Sequence, residues 1–152
     1  MYPVIGGSAD VPFQTGIFKR LETDTVLFQM AKGGIYDTEV PASVNDGRGA
    51  SFPYVVIAPA TEIPADRLTT TANRVSVPID IFSTYHGMLE ANLIANRIML
   101  LLHHQHRNLQ VPGWILNQII LENKQGFREM DGMKHVQLRF GGLLQPIPTM
   151  VG

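Results

Sequence analysis

The chain has 152 residues and a net charge of −1, which is the length of one ordinary domain and leaves no basic footprint for nucleic acid. Hydrophobic residues make up 45% and charged residues 16%, against a usual charged share of ~25%, so a core can form and part of the surface is expected to be covered by partners. The absence of cysteine excludes disulfides and thiolate metal sites and suits a reducing cytoplasm.

The stretch from Met1 to Asp10 has no Lys or Arg ahead of a hydrophobic run, so no signal peptide is expected. Residues 1–9, with Pro3, Gly6 and Gly7, read as a flexible N-terminal arm. Asp10 is expected to cap a first helix, with Pro12 in its first turn and Phe13, Ile17 and Leu21 along its buried line. Asp24 reads as the cap of a second, short helix through Leu27 and Met30, ended by Gly33-Gly34. Ile35 and Tyr36 predict a brief strand. Residues 41–51 (PASVNDGRGAS) are a loop by composition, and residues 53–58 (PYVVIA) are a buried, β-branched strand. Residues 61–73 (TEIPADRLTTTAN) read as a long connection that Ile63 and Leu68 can anchor; loops of such length are usually functional or disordered.

Val75, Val77, Ile79 and Ile81 then alternate with Arg74, Ser76, Pro78 and Asp80, the period of a half-buried strand. Pro78 cannot donate to a ladder, which predicts an edge or a bulge there. Ser83 and Thr84 are placed to cap the following helix. That helix carries two apolar lines: Met88, Ala91, Ala95, Ile98 and Leu102 on one side, and Leu89, Leu93 and Leu100 with Asn96 among them on the other. A surface helix of a monomer needs one apolar face; two faces predict cover from both sides, by the chain's own N-terminal helices or by a neighbouring copy. No unbroken apolar run is longer than Ile98 to Leu102, which is far too short to cross a bilayer. Residues 108–113 break the chain, residues 114–122 (WILNQIILE) form a third long strand, and Asp131-Gly132 marks a hairpin. In the return strand Lys134, Val136, Leu138 and Phe140 point one way and Met133, His135, Gln137 and Arg139 the other. Gly141-Gly142 is expected to end or bend it, leaving residues 141–152 as an extended tail. The order predicts a single α+β domain over residues 1–152, with a largely antiparallel or mixed sheet and the long helix and N-terminal helices packed on one face.

Little in the sequence is framed for chemistry. His103, His104 and His106 are the one visible constellation; His103 and His106 can share a helical face, but no third ligand stands at a metal-site spacing, and histidine also suits a helix C-terminus. Asp24, Asp37 and Glu39 do not form a matched acid and base pair. NDGRG, with Arg48 between Gly47 and Gly49, lacks the lysine and strand-to-helix setting of a phosphate loop. No serine is framed as a nucleophile. The expectation is a protein that is not an enzyme and needs no cofactor or metal. The two-sided helix and the long extensions predict assembly with identical copies, head to tail, which closes into a ring when the rotation allows.

The runs GGIYDTEVP (33–41), FPYVVIAPATEIPADR (52–67), RVSVPIDIFSTYHGMLEANLIANRIMLLL (74–102) and DGMKHVQLRFGGLLQPI (131–147), taken in order, resemble the tail-terminator family of long-tailed bacteriophages, also called tail-completion or head–tail joining proteins. The most distinctive elements are Tyr36, Asp37, Val40 and Pro41, the PYVV run, and Phe82, Ser83 and Gly87. The resemblance implies a small structural virion protein that forms a homo-oligomeric ring, a hexamer, on the finished tail tube. Such a ring stops tube polymerisation and meets the neck or head-completion protein at the head–tail junction. DNA passes through its lumen without specific binding, and there is no membrane partner or catalytic residue to carry over. On this basis Leu89, Leu93, Asn96 and Leu100 are assigned to a subunit interface, and Ile63, Asp66, Arg67, Leu68 and Arg74 to a loop touching the tail tube or lumen. The rival readings are a head-completion or neck adaptor, a minor tail protein, and a small metal- or ligand-binding domain built on the histidines.

Overall fold

The computed structural model describes residues 7–38, 52–66, 71–129 and 132–147. Among them are three α-helices, α1 (Asp10–Glu22), α2 (Thr25–Met30) and α3 (Leu89–Leu102), a 3-10 turn (His106–Asn108), and strands β1 (Gly34–Asp37), β2 (Tyr54–Ile57), β3 (Thr61–Pro64), β4 (Asn73–Ser83), β5 (Trp114–Arg128) and β6 (Lys134–Pro146). The six strands form one mixed sheet in the order β1-β2-β4-β6-β5, with β3 paired to β4 off this path. Only β1 and β2 are parallel; every other pair is antiparallel. The α+β architecture is the one the element order predicts.

The alternating residues on the helix side of the sheet build the core. Val75, Val77, Ile79 and Ile81 of β4 and Val136, Leu138, Phe140 and Leu144 of β6 are buried with Phe13, Ile17 and Leu21 of α1 and Ala91, Ala95, Ile98 and Leu102 of α3. Alpha1 approaches the sheet closely because β6 offers a glycine there: a Cβ on Gly142 would lie 2.5 Å from the Phe13 ring. Arg20 joins the two long helices by donating from Nε to the Leu101 carbonyl at 3.1 Å, one of the carbonyls that a helix C-terminus leaves unpaired.

The first helix begins one residue earlier than its cap was expected: Ala9 is the N-cap and Asp10 the first helical residue, whose carboxylate accepts from the Val11 N–H at 2.7 Å. Asp24 does cap α2, accepting from the Leu27 N–H at 2.8 Å. Ser83 does not cap α3, which starts only at Leu89 after a bend and has no side-chain cap. Buried Ser83 instead accepts from the Tyr85 N–H at 3.1 Å and donates to Glu90 at 2.7 Å, fixing the bend that leads into the helix.

Three features of the sheet differ from the sequence reading. Residues 61–73 are not one loop: Thr61–Pro64 pairs with the start of β4, Thr61 opposite Ser76 and Pro64 opposite Asn73. The strand holding Pro78 is central and in regular register, with Pro78 opposite Arg139. Proline is tolerated because β2 covers β4 from Ile79 to Phe82 and β3 covers it from Asn73 to Ser76, so the missing N–H falls in the gap between two strands laid end to end. The Pro78 carbonyl faces the same gap and accepts from the Ala58 N–H at 2.9 Å. Finally, Gly141-Gly142 does not end β6, which runs on to Pro146, and β5 extends past Glu122 to Arg128. The expected loop over 41–51 lies outside the described residues.

The β3 strand is latched to α1. Glu62 lies against the start of the helix, accepting from the Ala9 N–H at 2.9 Å, from Ser8 Oγ at 2.5 Å and from the Asn73 amide. Burial is the largest influence on this carboxyl and pushes its pKa up, but the three hydrogen bonds together bring it below the ordinary value. Asp24 is lowered by its Arg97 hydrogen bonds first, with the Leu27 N–H adding and burial opposing. Asp10 is lowered by Ser8 and by the Val11 N–H. Carboxylates depressed in the folded state stabilise it fully above the unfolded value of about 4 and lose that contribution as pH falls through the folded values. The urea midpoint is therefore expected to be flat above about pH 5 and to fall steeply below about pH 4. In Asp24→Asn the acid branch becomes shallower, and an unchanged branch in that variant would contradict the assignment.

Candidate interaction surfaces

Alpha3 presents its two apolar lines to opposite environments. On its inner line Ala91, Ala95, Ile98 and Leu102 are buried and Met88, the N-cap, is half-buried, whereas Leu89 is 60% exposed, Leu93 48% and Leu100 68%, with Asn96 exposed among them. The chain's own N-terminal helices do not cover this outer side. The short helix α2 is held beside it by a bidentate pair, Arg97 Nε and Nη2 donating to the Asp24 carboxylate at 2.9 and 2.7 Å, which places one contact at the edge of the leucine line and leaves the line open. Isolated exposed leucines are ordinary. These differ because Leu89 and Leu93, with Met30, Lys32, Tyr85 and Glu90, line one groove of about 340 Å³. Met30 and Tyr85 were not foreseen as part of this surface; the spacing of α3 alone carries no signal of what stands opposite it. Val26 and Phe28 of α2 are exposed as well.

The second predicted surface lies at the facing ends of β3 and β4. Ile63 is 58% exposed and stands directly opposite Arg74 in the ladder, so these two are brought together. Asp66 is turned inward to its own connection and accepts from the Ala72 N–H at 3.1 Å. Arg67 and Leu68 lie outside the described residues.

The histidine tract has a structural part. His103 is the C-cap of α3 and its Nδ1 accepts from the Leu121 N–H at 2.9 Å. Among the described residues no group of three His, Asp or Glu is placed to hold a metal ion. His135 sits instead on the sheet face turned away from α3, stacked on Phe82 and Phe127, with Asp80 2.7 Å from Nε2 and Glu129 3.2 Å from Nδ1.

Among the described residues the exposed features of this two-layer α+β domain are an apolar helix line, a groove beside it and the β3–β4 strand pair. The chain belongs to the family described as Tail completion protein gp17, whose model matches residues 15–143. It is a structural protein of the phage tail. Its fold is similar to that of a chain in the solved "Virion of native gene transfer agent (GTA) particle", with a TM-score of 0.74 at 20% identity over 87% of this chain and 93% of that one. A search of curated proteins finds no match.

Proposed function

We propose that the protein is the tail terminator: copies close into a ring, six by the family resemblance, that caps the finished tail tube, stops its polymerisation and joins it to the neck at the head–tail junction, with DNA passing through the lumen. The observation that supports this most directly is the bare leucine line of α3. Burying a leucine side chain is worth about 1.5–3 kcal/mol, so leaving Leu89, Leu93 and Leu100 exposed forgoes a gain that a neighbouring copy can supply. Of the charges beside the line, Arg97 is already paired with Asp24, and Lys32 and Glu90 stand at the groove, as suits the polar rim of an interface. The near-neutral net charge is in keeping with a lumen that lets DNA slide, since each phosphate contact would add salt-dependent holding force.

In this reading Leu89, Leu93, Asn96 and Leu100 form a subunit boundary, and the arm carrying Ile63, Asp66, Arg67, Leu68 and Arg74 meets the tail tube or lines the hole. Exchanging Leu93 and Leu100 for glutamate is expected to leave a folded monomer that no longer assembles; an unchanged oligomer by light scattering would overturn the assignment. Deleting residues 68–71 is expected to yield tails that fail to join heads, and normal infectious particles would remove the arm from the contact. Electron microscopy of a knockout tests the role itself. Overlong or unjoined tails support a terminator, whereas leaky heads beside normal tails indicate a neck adaptor.

A further inference from the structure

Beside the bend that leads into α3 lies another cavity, of about 340 Å³, lined by His86, Gly87 and Met88 of the bend and by Gly126, Arg128 and Lys134 of the β5–β6 pair. Arg128 and Lys134 stand directly opposite each other in the ladder, so the two cations share one face of the sheet. Like charges in that position repel and weaken the pairing. Nothing acidic lines the cavity. Among the described residues the neighbouring acids are engaged elsewhere: Glu129 lies 3.2 Å from His135 Nδ1, and Glu90 accepts from Ser83 at 2.7 Å. Lys134 Nζ donates to a backbone carbonyl, that of Gly132, at 2.6 Å, which leaves its charge unbalanced and two of its three protons to place. Gly126 adds no side chain to the space, and a Cβ there would come within 3.2 Å of Met88 Cε.

We propose that this cavity binds a phosphate group. The donors reach it from three pieces of chain: the planar fork of Arg128, the ammonium of Lys134 and the ring N–H that His86 carries in its neutral form. A carboxylate has two oxygens in one plane and is satisfied by a single fork. A phosphate has several acceptor oxygens aimed in different directions, which suits donors that converge from separate elements. Its charge also removes the repulsion that Arg128 and Lys134 exert on each other. A free phosphate and a phosphate of a DNA backbone present the same oxygens. The site is independent of the ring reading, because one chain supplies all of its residues.

Thermal unfolding of the full chain at pH 7, in sodium phosphate against sodium chloride of equal ionic strength, tests the site, because a ligand of the folded state raises the midpoint. The wild-type midpoint is expected to rise with phosphate and to level off as the site fills. Phosphate also strengthens burial in general, so the variants decide the result. Arg128→Gln and Lys134→Gln are each expected to lose the saturating part of the rise, and to melt no lower than the wild type in dilute chloride, since the like-charge pair is gone. Gly126→Val keeps both charges but fills the space and is expected to lose the same part, which separates a shaped site from general attraction. Binding of a labelled DNA duplex over a salt series identifies the source. A salt slope smaller by about one in each charge variant assigns the site to backbone phosphate; an unchanged slope beside a lost phosphate response assigns it to free phosphate. An equal midpoint rise in the wild type and all three variants, with no variant-dependent change in DNA binding, would overturn the site. A chain that never forms a ring yet shows the saturating response would overturn the terminator reading and leave the phosphate site standing.

Discussion

Truncating Phe13 to alanine is expected to cost about 3–5 kcal/mol, at the upper end for a single residue. Its ring is fully buried and lies where β6 passes beneath α1. The converse substitution, Gly142→Ala, is expected to cost about 1–3 kcal/mol, because the new methyl group would overlap a rigid ring that has no free space to move into. The two effects cannot add. Once Phe13 is gone, alanine at 142 enters the vacated space, and its own cost is expected to shrink by more than about 0.5 kcal/mol. Urea midpoints of the two single variants and the double variant measure this coupling. An equal cost for Gly142→Ala in both backgrounds would mean that glycine stands at this position for another reason.

The two lines of α3 give the second contrast. Ile98→Ala is expected to destabilise the folded chain by about 2–5 kcal/mol, since Ile98 is fully enclosed between helix and sheet. Leu100→Ala, two residues on, is expected to change monomer stability by no more than about 0.5 kcal/mol. Its effect should appear in self-association, through lost contact area. Thermal unfolding of the dilute protein and sedimentation over a concentration series separate the two quantities. A Leu100→Ala variant that unfolds as readily as Ile98→Ala would show the outer line to be part of the core.

Much of this was legible because burial in a two-layer domain imposes periods. The β4 and β6 alternations, the Phe13, Ile17 and Leu21 line, the Asp24 cap and both faces of α3 all follow from one-sided cover acting on local geometry. What escaped depended on distant partners. Thr61–Pro64 is polar and proline-ended and has almost no inward face, so only its pairing with β4 makes it a strand. Pro78 signals an edge unless the gap between β2 and β3 is known. Gly141 and Gly142 look like a stop; the Glu122 carboxylate over the first and the Phe13 ring over the second show why side chains are missing there within β6. The far half of β5, Glu122 to Arg128, is largely exposed and has no apolar period to announce it. For the candidate surfaces, the outer leucines were readable from spacing, whereas Met30 and Tyr85 across the groove were not.

The Glu62 latch has a mechanical consequence. The arm formed by β3 and the start of β4 is fastened at its root to the opening turn of α1, through Ser8 and the Ala9 N–H. The same helix is tied through Arg20 to the last turn of α3, so one helix joins the root of that strand pair to the end of the helix that bears the leucines.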